Sequence, residues 1–286
     1  MVEPGSEQPY VEPPAPAGAE PLTMEQAIAN LNGSDTGLRY YAAWWLGKFA
    51  TAAAVTADQY QVAVDGLIVA LADESDRTEL GGYPLRRNAA RALGKLADRR
   101  AVPGLVECLD CSDFYVREAA AQALGMLGDK SCVPALLKLL AGGVAAAQFV
   151  PGRPHLAQPY EAVIEALGAL GAVQAVEQVQ PFVDHPVARV QYAATRAMYQ
   201  LTRDSVYGER LVSALTGSDV QLRRTALADL GAIGYTPAAE AIATSATENS
   251  FKLFSLKGLL EYQLTQDGEV PGDRSQQIMA LMDNLL

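Results

Sequence analysis

The sequence predicts an all-α protein, a solenoid of about six to seven helix pairs stacked into a superhelical crescent. Three observations lead there. One ten-residue segment recurs along the chain, and the apolar residues within it fall at helical spacing. The composition holds 49 alanines against six phenylalanines and two tryptophans in 286 residues. Alanine is the best helix former and lets helices pack closely.

Residues 1–21 carry six prolines and four glutamates without an apolar run, the composition of a disordered tail. From residue 22 a single repeat domain runs to residue 286. The segments Leu38–Gly47, Leu85–Gly94, Val116–Gly125 and Leu222–Gly231 align without gaps, and weaker copies run Pro159–Gly168 and Val190–Tyr199. Their second residues, Arg39, Arg86, Arg117, Tyr160, Gln191 and Arg223, are spaced by 47, 31, 43, 31 and 32. A base period of 31 with insertions of 16 and 12 accounts for these intervals, and such a period marks stacked helix pairs. The pattern resembles HEAT-like repeats over roughly residues 22–265.

Each unit reads as a short helix A, a turn and a longer helix B. Helix A is clear at 102–109 and 133–140, with Pro103 and Pro134 placed early, where a missing N–H does no harm. Asp35, Asp113 and Asp219 each stand four residues before a repeat arginine and are natural N-caps. The recurring Arg39, Arg117 and Arg223 are expected to form a ladder with those aspartates. Residues 251–264 read as a degenerate last repeat and 271–286 as a helix capping the exposed apolar end.

The extra residues fall at 73–84, at 141–158 and around 50–60. The first two lie between a helix A and its helix B, so both should emerge on one edge of the solenoid. Shared-edge insertions mark a binding side or reflect neutral drift.

The repeats serve as an internal alignment. The columns headed by Ala42, Leu46 and Phe49 are apolar throughout and predict the buried face of helix B. Two columns are polar. Tyr40 aligns with Arg87, Glu118, Glu161, Tyr192 and Arg224, and Trp44 with Arg91, Gln122, Glu165, Arg196 and Ala228. Four residues apart, they share one helix face. Tyr40 and Trp44 stand where later repeats carry charge, which points to a ligand or partner, or to a cap over the first apolar face. Trp45 falls in a column of alanines and is expected to fill the N-terminal end of the stack. If the B helices line the concave side, one groove carries aromatic, guanidinium and carboxylate groups in succession. Arginine suits bidentate capture of carboxylates. A solvated charged face is the plainer alternative.

Other chemistry is weak. The formal net charge of -11 argues against a nucleic-acid or anionic-membrane binder. No stretch is long and apolar enough to span a bilayer. The first basic residue is Arg39, so a signal peptide's positive region is missing. Cys108, Cys111 and Cys132 are too few for a disulfide scaffold, and a reducing cytosol is expected. Cys108-x-x-Cys111 lacks a second metal half-site and Cys108 reads as a buried hydrophobe, so no metal is expected. His155 reads as an exposed loop histidine, with a proton donor near the groove as the alternative. No phosphate loop, nucleophile elbow or HExxH motif occurs.

Several segments are more specific than generic repeats: Tyr40-Tyr41-Ala42-Ala43-Trp44-Trp45-Leu46-Gly47-Lys48, Gly81-Gly82-Tyr83-Pro84-Leu85-Arg86-Arg87-Asn88 with its continuation to Gly94, and Val144-Ala145-Ala146-Ala147-Gln148. With Pro159-Tyr160-Glu161-Ala162-Val163 and Val190-Gln191-Tyr192-Ala193-Ala194, they resemble the E-type subunits of the heterodimeric phycocyanobilin lyases of cyanobacteria. The resemblance implies a cytoplasmic enzyme subunit that works with an F-type partner. Together they attach phycocyanobilin, the substrate rather than a resident cofactor, by a thioether to a cysteine of the phycocyanin α subunit. For that function the polar columns lead us to expect Arg87 and Arg91 to hold the two propionates, Tyr40 and Trp44 to stack on the bilin, and Tyr192 and Arg196 to extend the binding face. Glu118 or Glu161 would face the pyrrole N–H groups; either, or Tyr160, would serve as general acid. The rival readings are a non-catalytic assembly chaperone, a HEAT-repeat scaffold, and a lyase for a related phycobiliprotein.

Overall fold

A computed structural model describes residues 22–50, 55–268 and 270–286. The expected tail at 1–21 and residues 51–54 of the 50–60 connection lie outside the described residues. Those described form α-helices joined by short 3-10 turns, with a single isolated β-bridge and no strand.

The chain divides into two compact units at Leu170 and Gly171. The first contains α1 (Met24–Leu31), α2 (Thr36–Phe49), α3 (Ala57–Ala70), α4 (Pro84–Leu96), α5 (Val102–Cys108), α6 (Phe114–Leu127), α7 (Val133–Leu139), the short α8 (Gly143–Ala146) and α9 (Tyr160–Ala169). The A/B pairs are α1/α2, α3/α4, α5/α6 and α7/α9, and α8 belongs to the second insertion. The second unit contains α10 (Val176–Val179), α11 (Ala188–Thr202), α12 (Ser205–Ala214), α13 (Val220–Ile233), α14 (Ala239–Thr244), α15 (Asn249–Asp267) and α16 (Asp273–Asp283). Here α14 and α15 form the degenerate last pair, and α16 packs against both as the expected cap. Ser275 and Ile278 of α16 are buried there.

The sequence signals act where they were expected. Asp35, Asp113 and Asp219 accept backbone N–H bonds at the starts of α2, α6 and α13. Pro103 and Pro134 sit in the first turns of α5 and α7. The Ala42 and Leu46 columns are buried in every repeat. The third apolar column breaks at its head, because Phe49 is 42 % exposed. Among the described residues no helix B precedes α2, and Phe49 turns outward and stacks on Trp45, ring centroids 4.9 Å apart.

In the first unit the B helices form a continuous layer, α2 on α4, α4 on α6 and α6 on α9. A glycine sets each contact. A Cβ on Gly47 would lie 2.7 Å from Ala92 Cα, on Gly94 2.8 Å from Ala123 Cα, and on Gly125 2.9 Å from Ala166 Cα. Carbon atoms ordinarily meet at about 3.5–4.0 Å, so the small pairs let these helices approach more closely than side chains would allow. This packing also explains Trp45. Its alanine counterparts face the preceding B helix, so Trp45 covers the N-terminal end of the layer.

The arginine ladder exists with different partners. The capping aspartates accept backbone N–H groups, Asp35 and Asp219 from their own helices and Asp113 from its own helix and from Tyr83 N. Each arginine instead binds carbonyls at the end of its own helix A and groups of the next repeat. Arg39 donates to Leu31 O and to Asp73, Arg117 to Cys111 O and Ala157 O, and Arg223 to Gly217 O and Ala246 O. Arg86 binds Ala72 O and Asp73 O, both at the end of its own helix A. Helix C-terminal carbonyls carry partial negative charge and lack partners, so a cation there is favoured. The Arg39 bond at 2.6 Å holds the Asp73 carboxyl well below its usual range, at about 2.

Candidate functional site

Two depressions on the first unit take three of the candidate residues, Trp44, Arg87 and Arg91. One is a hollow of about 270 Å³ between α2, α4 and α6, walled by Trp44, Arg91, Lys95, Gln122 and Met126 above Gly47, Ala92 and Ala123. The glycine–alanine contacts form its floor. Trp44 is half-buried, with Tyr41 at 5.4 Å and the Lys48 ammonium 5.0 Å above its ring. Lys48 therefore adds a cation to the aromatic wall.

The hollow has a feature absent from the candidate set. Asn88 is 1 % exposed and donates its amide N–H to Tyr40 O at 3.2 Å. That bond fixes which amide atom is nitrogen. Its Oδ1 is buried without a hydrogen-bond partner, an arrangement that costs about 1–3 kcal/mol unless something donates to it. The sequence held a signal: the column Tyr41, Asn88, Ala119, Ala162, Ala193, Thr225 has one amide among small and aromatic residues.

The second depression is a cleft of about 500 Å³, and it joins the two large insertions. The first insertion supplies a turn in which Thr78 and Gly82 hydrogen-bond and Gly81 takes a positive φ of 83°. Leu80, at its tip, is 80 % exposed. The second insertion folds back on itself through Val150 N to His155 O, Ala157 N to Gln148 O and the Phe149–Leu156 bridge. This brings His155 onto Phe114, stacked at 4.1 Å, with Tyr115 edge-on at 5.9 Å. His155 is thus a half-buried stacking group, not the exposed loop residue expected. The pairing needs a hairpin against the next repeat, which repeat spacing does not encode. The two insertions do share an edge.

Arg87 lines this cleft and Arg91 the hollow. They sit one turn apart on α4, so the structure separates the expected arginine pair between neighbouring depressions. Among the described residues Arg87 makes no side-chain hydrogen bond or ion pair, and its Nε is buried without a partner. Arg117, also at the cleft, is committed to Gln158 and three backbone carbonyls.

The remaining candidates scatter. Tyr40 is half-buried on α2, Glu118 on α6 and Glu161 on α9. Tyr160 is 2 % exposed and burial pushes its hydroxyl pKa up. Its side chain lies in the core at the start of α9. Tyr192 and Arg196 lie in the second unit. Tyr192 is half-buried, its pKa raised by burial and by the Asp219 charge. Arg196 pairs with buried Asp229 at 3.0 Å, which turns it toward its own core. Two of the thiols are quiet: burial pushes Cys108 up to about 12 and Cys132 to about 11. Among the described residues no cluster of His, Cys, Asp and Glu could hold a metal, and no helix is long and apolar enough to cross a membrane.

Comparison with known proteins agrees with this architecture. Residues 64–146 match a family model described as HEAT repeats, and residues 38–73 one described as PBS lyase HEAT-like repeat. The chain is 62% identical to the phycocyanobilin lyase subunit alpha of Nostoc sp. over 288 residues, covering 100% of both proteins. The same subunit from Thermosynechococcus vestitus is 62% identical, over 93% of this chain and 95% of that protein. The chain belongs to the phycocyanobilin lyase alpha-subunit family.

Within this lyase family, the solved complex of CpcE and CpcF of phycocyanin lyase from Nostoc sp. PCC7120 contains a chain with the same fold. It superposes with a TM-score of 0.86 at 62% identity, over 97% of this chain and 100% of that one. A bilin biosynthesis protein, PecE of Nostoc, is 44% identical over 94% of this chain and 98% of that protein. The chain presents an aromatic and cationic face on α2, α4 and α6.

Proposed function

We propose that this chain and an F-type partner form the lyase that attaches phycocyanobilin to a cysteine of the phycocyanin α subunit through a thioether bond. The full-length likeness to a chain of the solved CpcE–CpcF complex and to the Nostoc lyase alpha subunit carries the reading. The site chemistry fits it. Thioether formation here is an addition: the thiol S–H adds across a carbon–carbon double bond of ring A, sulfur to one carbon and hydrogen to its neighbour, with nothing released. The nucleophile belongs to the acceptor protein, so the lyase can leave its own Cys108 and Cys132 protonated.

The work left to the lyase is holding and orienting an extended, flexible substrate, which lowers the barrier through proximity. Trp44, beside Tyr40, supplies the stacking wall. Arg87 and Arg91 supply the charge for propionates. Glu118 or Glu161 is the carboxylate that faces the pyrrole N–H groups and keeps the bilin cationic. Bilin enters as substrate and leaves on the acceptor, in the cyanobacterial cytoplasm. A second reading, action on a related phycobiliprotein, is favoured by the likeness to PecE.

The test is co-expression of this chain, with and without the F-type subunit, alongside a phycocyanobilin source and apo-phycocyanin α. Zinc-enhanced fluorescence on a denaturing gel reads covalent bilin. A band only when both subunits are present is the expected result. No band with the pair, while this chain still binds the apoprotein, would move the assignment to an assembly chaperone. A band only on another phycobiliprotein would move the substrate.

A further inference from the structure

The hollow and the cleft lie end to end on the same two helices. On α4, residues Pro84 and Arg87 line the cleft, and Asn88, Arg91, Ala92 and Lys95 line the hollow. On α6, the cleft takes Phe114, Tyr115 and Arg117, and the hollow takes Ala119, Gln122, Ala123 and Met126. Members of the two sets are one helical turn apart, so the depressions form one furrow along the α4–α6 seam. From Pro84 to Lys95 it runs about 17 Å at about 1.5 Å per residue. The hollow alone, at about 270 Å³, is smaller than the roughly 300–1,000 Å³ typical of small-molecule sites, whereas the cleft, at about 500 Å³, falls within that range.

Two unmet polar groups stand along it. The Asn88 Oδ1 needs a donor and the Arg87 Nε needs an acceptor. Buried polar groups in folded proteins are nearly always satisfied, so each orphan calls for a partner. An oxygen that wants an N–H, on the residue next to a guanidinium that wants an anion, describes a ligand with both a donor and an anion. Flat or apolar groups stand at both ends, Trp44 at one and the Phe114–His155 stack and exposed Leu80 at the other, among charged and polar walls.

Resting on the lyase reading above, we propose that the α4–α6 furrow binds the bilin lengthwise, Asn88 Oδ1 accepting a ring N–H and Arg87 pairing with a propionate in the insertion cleft. The two insertions thus build the propionate end, and the B-helix hollow holds the ring system nearer Trp44. Phe114 and His155 become contacts of the conjugated chain.

The experiment is a spectroscopic titration of the co-purified complex, this full-length chain with its F-type partner, with phycocyanobilin and with its dimethyl ester. Arg87→Gln should weaken binding of the free acid roughly tenfold or more, as loss of a charge-assisted bond does, and change ester binding less than twofold by the same principle. Asn88→Leu should weaken both ligands roughly tenfold by leaving a ring N–H unpaired. The melting temperature of the ligand-free complex should hold or rise in Asn88→Leu, because an orphan oxygen is removed. A purely structural Asn88, serving only Tyr40 O, would instead lower the melting temperature and leave affinity alone. If the wild-type complex binds bilin and the two variants bind both ligands as it does, the furrow assignment is overturned while the lyase reading stands. If the wild-type complex binds no bilin, both fall.

Discussion

Asp73 begins the first insertion, and its bond to Arg39 ties that insertion to α2. Replacing Asp73 with asparagine removes the charge and keeps the shape. Its carboxyl titrates at about 2 in the fold against 3.8 for the free side chain. Each unit is worth about 1.4 kcal/mol, so the charge contributes about 2 kcal/mol at pH 7. Both side chains are less than one-fifth exposed, which limits solvent screening. The folded pKa is depressed, so the contribution is complete above pH 3.8 and fades as pH falls toward 2. By linkage roughly half remains at pH 3. At about 2–4 °C per kcal/mol for chains of this size, Asp73→Asn should melt about 4–8 °C below wild type at pH 7. The gap should narrow to about half at pH 3. Thermal melts followed by circular dichroism across pH 3–7 measure it. Equal melting temperatures at pH 7, or a gap that stays constant down to pH 3, would refute the latch.

Three further outcomes follow from the packing. Gly94→Val should destabilise by about 1–3 kcal/mol, because its Cβ meets the Ala123 backbone rather than a movable side chain; a urea midpoint at or above wild type would contradict the close contact. In a native thiol titration at pH 8, Cys111, which is half-buried, should react first. Cys108 and Cys132 should stay protonated and slow, given values of about 12 and 11, and three equally fast thiols would contradict this. Tyr160→Phe should lower stability by at most about 1–2 kcal/mol and leave the single-turnover rate of bilin transfer within about twofold, as expected of a side chain only 2 % exposed. A large rate loss in a folded Tyr160→Phe complex would restore it as the general acid.

The repeat columns made most of the fold legible. Caps, prolines and the alanine–leucine stripe each obey a local rule, and the same rule recurs in every repeat. Phe49 escaped because its column has no neighbour at the first repeat, an end effect that an internal alignment averages away. The arginine ladder was read with the wrong partners because spacing along one helix cannot show that a side chain reaches back to the carbonyls of the preceding helix. The Trp44–Arg91–Gln122 wall was visible, since those residues share one column. Asn88 was visible only as an odd residue in a small-residue column. The Phe114–His155 stack was not visible, because it depends on a hairpin inside an insertion closing over a different repeat. Sequence periodicity describes what recurs, and the distinctive part of this site lies in what does not.

The central claim is that this chain holds a bilin for addition of an acceptor protein's thiol. The most direct measurement reconstitutes the reaction from purified parts: this chain, its F-type partner, phycocyanobilin and apo-phycocyanin α, followed by peptide mass spectrometry. The account predicts one cysteine-containing acceptor peptide heavier by the full mass of the bilin, formed only with both subunits, and no bilin-bearing peptide from this chain. A bilin adduct on one of this chain's own cysteines, or an acceptor adduct formed equally well without this chain, would contradict it.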